Sequence, residues 1–330
     1  VLAIEIFGTP KSPISTALIA ILLGILMGNA FTPRPGMMVG LDFTQQYILK
    51  LGIIFLGIRL SFEELIKFGT IAIPLIIFCI LGVLILIKLL IKKVPISSKM
   101  SYLIAIGTSV CGATAIVATA PVLNAKKSEI AYAIANITLF GVIAMIVYPY
   151  FAEWYFDDNS LQVGLFLGTA IHETSQVAAA GLIYDQQFSN PETLNVATVT
   201  KLIRNTFLVI LIPLFAFLYK RGEIKNKNYS IFSIFPYFVL GFIGMIIVRN
   251  IGDQFFLIDN SDYEIWKNFI EYVKSLTTVF LTMAMAAVGI SINLNELKSM
   301  GYKPFVVGLI AAITVGIISI IYIETLTKFI

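Results

Sequence analysis

Ten apolar stretches separated by short polar links run along the chain, at 14–31, 44–60, 69–91, 100–123, 128–151, 161–184, 196–219, 231–249, 268–292 and 303–325. Each has roughly the 17–25 residues that an α-helix needs to cross the hydrocarbon of a bilayer. The pattern predicts an all-α polytopic membrane protein, one transmembrane domain over 1–330 with no appended soluble domain.

Two stretches are interrupted at their middles by the same kind of polar knot. One reads Leu103-Ile-Ala-Ile-Gly107-Thr108-Ser109-Val110-Cys111-Gly112-Ala113-Thr114 and the other Leu165-Phe-Leu-Gly168-Thr169-Ala170-Ile171-His172-Glu173-Thr174-Ser175-Gln176. Gly107 aligns with Gly168 and Thr108 with Thr169. Hydrocarbon penalises unpaired backbone and ionisable side chains, so such knots persist where they line a polar cavity. Paired glycine-interrupted segments also point to a transporter's binding site.

A second repeat sets the architecture. Gly57-Ile-Arg-Leu-Ser-Phe-Glu-Glu64-Leu65-Ile-Lys-Phe-Gly69 aligns without a gap with Gly289-Ile-Ser-Ile-Asn-Leu-Asn-Glu296-Leu297-Lys-Ser-Met-Gly301, and Leu23-Gly24 pairs loosely with Leu240-Gly241. The first three stretches resemble the last three, and the fourth and fifth resemble the sixth and seventh. If each knot is a re-entrant hairpin, Arg34, Lys92, Lys93, Lys99, Lys126, Lys127, Lys220, Arg221, Lys225, Lys227, Lys298 and Lys303 share one face. The acidic links near Asp157, between Asp185 and Glu192, and between Asp253 and Glu264 then share the other. That division satisfies the positive-inside rule and makes every repeat pair inverted. The expected fold is an inverted-repeat secondary-transporter fold with units near 14–151 and 161–325. A crossing helix broken at the knot is the alternative.

Composition narrows the classes further. The 330 residues are 58% hydrophobic and 13% charged, against about a quarter charged in globular proteins. The net charge of +4 is that of cytoplasmic loops and not of a nucleic-acid binder. Cys79 and Cys111 both lie in apolar stretches and there is a single histidine, so neither a structural disulfide nor a zinc site is expected, and no cofactor. His172-Glu173-Thr174-Ser175-Gln176 only approaches the zinc-protease pattern H-E-x-x-H, since Gln176 stands where the second histidine belongs. No phosphate-binding loop and no nucleophile elbow occurs, so neither ATP drive nor an enzyme is expected.

The candidate chemistry gathers at the knots. His172 and Glu173 lie about eleven residues into their stretch, near the midplane, where ionisable groups mark transport pathways. They are the candidate proton carriers; a purely structural pair is the alternative. Lys201 and Arg204 lie one helical turn apart with Asn205 beside them, fit to hold an oxyanion, unless they snorkel to the headgroups. Thr108, Ser109, Cys111, Thr114, Thr169, Thr174, Ser175 and Gln176 offer polar groups beside unwound backbone, and half-helix N-termini near Cys111 and Thr174 would favour an anion. Close packing by small residues is the competing explanation. Asn136 and Thr138 stand on the stretch paired with that of Lys201. Every aspartate is expected in a loop, which disfavours a sodium–proton exchanger built on buried aspartates.

The chain resembles the YeiH family of bacterial inner-membrane proteins, labelled sulfate exporters. The carriers are Leu51-Gly52-Ile53 with Gly57-Ile-Arg59-Leu, the Gly107–Thr114 and Gly168–Gly181 blocks, Lys201-Leu-Ile-Arg204, and Ala284-Met-Ala-Met-Ala-Ala-Val-Gly289. That family is grouped with cation–proton antiporters and bile-acid-type symporters, which implies a bacterial plasma-membrane location, a scaffold and a mobile core. It also implies a further apolar span ahead of Ile14. The expected function is secondary transport of a small oxyanion, sulfate or an organosulfonate, coupled to protons or to sodium. A passive anion channel and a non-transporting membrane scaffold are the alternatives, and a homo-oligomer is open.

Overall fold

The computed structural model describes residues 15–31, 34–90, 96–219, 237–256, 263–293 and 302–326, and no strand occurs among them. In chain order the helices are α1 Thr16–Ala30, α2 Pro35–Arg59, α3 Phe62–Leu90, α4 Ser98–Ser109, α5 Ala113–Thr119, α6 Lys127–Phe156, α7 Ser160–Ala170, α8 Thr174–Phe188, α9 Pro191–Thr206, α10 Leu208–Tyr219, α11 Phe238–Phe256, α12 Tyr263–Ser291 and α13 Tyr302–Leu326. Among the described residues 7 helices are long and apolar enough to cross a bilayer, α9 running on into α10 as one of them. The apolar α1 is shorter, at 15 residues.

The second span starts earlier than its apolar run. Pro35, at the first position, has the φ a helix needs and no N–H to leave unpaired, so α2 opens well before residue 44 and carries Asp42 on an exposed turn. Asp185 and Asp253 likewise lie within α8 and α11. Not every aspartate is in a loop; these three sit near helix ends, within reach of water.

Both knots are re-entrant hairpins. At the feet of the first, the Lys99 ammonium donates to the Asn124 carbonyl at 2.8 Å, so α4 enters and the chain after α5 leaves on the same side. At the feet of the second, the Asn190 amide donates to Asp158 Oδ1 at 2.8 Å and the Tyr184 hydroxyl to Glu153, closing α7 against the end of α8. The full-length helix α6 joins the two, so they enter from opposite faces. Lys99, Lys126 and Lys127 mark one face, Asp157, Asp158, Asp185 and Glu192 the other. Lys92, Lys93, Lys220, Arg221, Lys225, Lys227 and Lys298, with the 294–301 part of the second repeat, lie outside the described residues.

Packing follows the repeat. α1 lies on α12 as α11 lies on α2, and α4 packs on α6 as α7 packs on α9; α3 and α13 pack on each other. Glycines mark the matching crossings. A Cβ on Gly57 would strike the Phe242 carbonyl of α11, and one on Gly289 the Ile21 carbonyl of α1. A Cβ on Gly107 would lie 2.7 Å from Ile137 of α6, and one on Gly168 2.6 Å from Thr200 of α9. Helices without side chains at the crossing approach backbone to backbone, which is how membrane helices gain packing energy in the absence of a hydrophobic drive.

Candidate functional site at the hairpin tips

Each hairpin must stop one helix and start another in the middle of the molecule. In the first, Val110 leaves the helical region and Gly112 takes φ 68°, ψ −129°, which a side chain resists. In the second, Ile171 and Glu173 are extended, and α8 starts with Glu173 and Gln176 in a reciprocal capping box, the Glu173 N–H donating to Gln176 Oε1 at 3.2 Å. The last turns of α4 and α7 are left with carbonyls that no helical N–H can reach.

α9 supplies the missing donors. The Lys201 ammonium donates to the carbonyls of Val110 (2.9 Å), Ile171 (3.0 Å) and His172. The Arg204 guanidinium donates through Nε to the Ser109 carbonyl (2.7 Å), through Nη1 to those of Thr169 and Ile171 (3.2 Å for the latter), and through Nη2 to that of Thr108. Both residues are 0% exposed. Three acceptors around Nζ match the three N–H groups of an ammonium, and the planar fork of arginine reaches both broken helices at once. Positive charge at two helix C-termini is the arrangement the backbone dipoles favour.

This corrects several sequence expectations. Lys201 does not snorkel, and in this conformation neither cation presents its charge to a cavity: Lys201 spends every donor on carbonyls and Arg204 four of its five N–H bonds. The hydroxyls of Ser109 and Thr169 turn back onto their own helices, to the Ala105 and Leu165 carbonyls at 2.6 Å, and Thr169 also meets Ser319 at 2.8 Å. Thr108 is buried and contributes its carbonyl. Gln176 is buried in the capping box and lies against Gly141 of α6, where a Cβ would strike its amide. Asn136 faces α13 instead of the tips; its amide donates to the Pro304 carbonyl at 2.6 Å. Arg59 pairs with Asp185 at 3.0 Å.

The structure does bring together Cys111, Glu173, Thr174 and Asn205. The Ala113 N–H donates to Glu173 Oε1 at 3.4 Å across the gap between hairpins, and a Cβ on Gly112 would collide with the Glu173 side chain. The Asn205 amide donates to Thr174 Oγ1 at 2.9 Å, leaving its Oδ1 buried without a partner. His172 is buried beside them with Nδ1 unpartnered. Cys111, Ala113, Glu173, Thr174 and Ser175 are partly accessible and Thr114 is exposed. Sequence reasoning missed Gly112 as the residue that seats Glu173, though its place in the knot was a signal. Ser319 of α13, which ties Thr169 to Cys79 (3.4 Å to its Sγ), carried none.

Crossing helices on a repeated scaffold, with two re-entrant hairpins meeting tip to tip over buried cations, define a multi-pass α-helical membrane protein. Residues 3–308 match the family described as conserved hypothetical protein 698. The UPF0324 membrane protein FN0533 of Fusobacterium nucleatum is 33% identical over 96% of this chain and 91% of its own length. The UPF0324 inner membrane protein YeiH of Escherichia coli K12 is 30% identical over 90% of this chain and 81% of its own. The chain belongs to this UPF0324 family, as the resemblance implied. No solved structure matches it significantly.

Proposed function

We propose that this protein is a proton-coupled secondary transporter of a small oxyanion, sulfate-like or sulfonate-like, and not an enzyme. The observation that carries the proposal is the charge at the tips. Lys201 and Arg204 are fully buried behind the tips on backbone carbonyls, and Glu173 sits at the α8 N-terminus and reaches the backbone of the opposite hairpin. Glu173 thus occupies the place suited to an anion. A proton on Glu173 removes the resident negative charge and weakens the Ala113 contact, leaving two cations uncompensated at the midplane. An oxyanion then replaces the carboxylate among Thr174, Ser175, Asn205 and the α8 N–H groups. Proton and anion each tighten the binding of the other, as linkage requires. His172, buried beside Glu173, is the second candidate on the proton path. Alternating access follows from movement of the hairpin-bearing core against the α1–α2–α11–α12 scaffold.

The test is flux of labelled sulfate in proteoliposomes across a pH gradient. Glu173→Gln keeps the shape of the cap and removes the titration, so transport should lose its dependence on the gradient while the protein remains folded. Gradient-dependent flux that persists unchanged in Glu173→Gln overturns the proposal. Conductance in a planar bilayer that ignores the proton gradient would make the protein a channel instead.

A further inference from the structure

Away from the tips, a polar cavity of about 370 Å³ opens where α2, α8 and α9 meet α12, lined by Arg59, Asp185, Asn195, Glu271, Lys274 and Thr278. It begins on the acidic face and follows α12 inward, Thr278 lying about four turns from the start of that helix. The cavity therefore lies along the boundary between scaffold and core. Its volume is in the range of small-molecule sites, roughly 300–1,000 Å³.

The lining is charged but balanced. Arg59 pairs with Asp185 at 3.0 Å on one wall, and Lys274 with Glu271 at 2.8 Å on the other. Two buried atoms of these lining residues have no partner: the Arg59 Nε–H, a charged donor, and Asn195 Oδ1, an acceptor. Buried polar atoms are almost always paired, and these two lie beneath the lining, where a turn of either side chain would meet a ligand's acceptor or donor. A plain anion would meet Asp185 and Glu271 as well as the cations, and a plain cation would meet Arg59 and Lys274. A molecule carrying both charges meets opposite charge at each end.

We infer that this cavity is a binding site for a small zwitterion, an oxyanion head joined by a short chain to an ammonium group. The head goes to Arg59 and Lys274, the ammonium to Asp185, Glu271 and Asn195. The inference rests on the proposed transport only for the ligand's onward route; occupancy of the cavity does not require movement. It names the substrate class as an amino-bearing oxyacid, which the tips by themselves do not.

The experiment is thermal unfolding of the full chain in detergent, titrated with 2-aminoethanesulfonate and β-alanine, with sodium sulfate and ethanolamine as controls of one charge sign each at matched ionic strength. A ligand that binds only the folded protein raises its midpoint. Both zwitterions should give a saturable rise that depends on Arg59, ethanolamine should give none, and any rise from sulfate bound at the tips should be the same in the parent and in Arg59→Gln. Arg59→Gln should weaken the apparent affinity about tenfold or more, the worth of a lost charge-assisted hydrogen bond. Asn195→Ala should weaken it less. If Arg59→Gln does not fold, Lys274→Gln on the more exposed wall carries the test. A sulfate shift that Arg59→Gln lowers as far as it lowers the zwitterion shift, or zwitterion binding unchanged in these variants, overturns the inference. Phosphatidylethanolamine headgroups share this chemistry; nanodiscs of that lipid would suppress the soluble ligand's shift if they are the occupant, whereas phosphatidylglycerol nanodiscs would not. Sulfate flux that keeps its gradient dependence in Glu173→Gln, alongside zwitterion binding that Arg59→Gln weakens, would remove the proposed function and leave this site standing.

Discussion

The first hairpin turns on Gly112 and carries no charged side chain at its tip, whereas the second turns on Ile171, His172 and Glu173 and places a carboxylate across the gap. Their supporting helices differ in the same sense. α9 sends Lys201 and Arg204 to the carbonyl ends of both hairpins, while its counterpart α6 offers Asn136, which is spent on Pro304. The backbones are related by the repeat, but the chemistry is divided: one half supplies space and an N–H, the other supplies every charge. A repeated fold thus holds an asymmetric electrostatic centre.

The largest break in this comparison comes from Arg204→Ala. It strips donors from the carbonyls of both broken helices, and the expected loss of stability is on the order of 3–5 kcal/mol, read as a fall in the unfolding midpoint and in folded yield. The matching change on the other half, Asn136→Ala, frees only the Pro304 carbonyl and should cost about 1–3 kcal/mol. Equal losses would show that the cation side is not privileged.

Gly112→Ala sharpens the contrast between turns. The positive φ and the Glu173 side chain both oppose a methyl group there, so about 1–3 kcal/mol should be lost. Ser175→Ala on the other tip, at the start of a regular helix, should change the midpoint little. A smaller loss than that of Gly112→Ala is expected of Asn205→Ala: one hydrogen bond to a partly accessible hydroxyl disappears, about 0.5–1.5 kcal/mol in the same measurement.

Much of the fold could be read from residue types. The apolar runs located every helix that crosses or enters, because span length in a bilayer is set by hydrocarbon thickness. The aligned Gly57 and Gly289, and Gly107 and Gly168, marked crossings that the structure repeats, since only a missing side chain permits such approach. The start of α2 was hidden because Gly36, Gly40 and Asp42 dilute its hydropathy. The direction of Lys201 and Arg204 was also hidden: a cation on an apolar helix has the same sequence whether it faces an anion, a headgroup or a carbonyl.

The chain's own pattern determined a polytopic helical protein with a repeated, interrupted core, since hydropathy acts locally along the chain. Only tertiary structure decided that the knots turn back instead of crossing, that the cations serve backbone carbonyls, and that Glu173 stands between the tips. Those outcomes depend on which unpaired backbone groups meet which donors across some 90 residues of separation, as with Arg204 and Ser109 at 95, and no local pattern encodes that pairing.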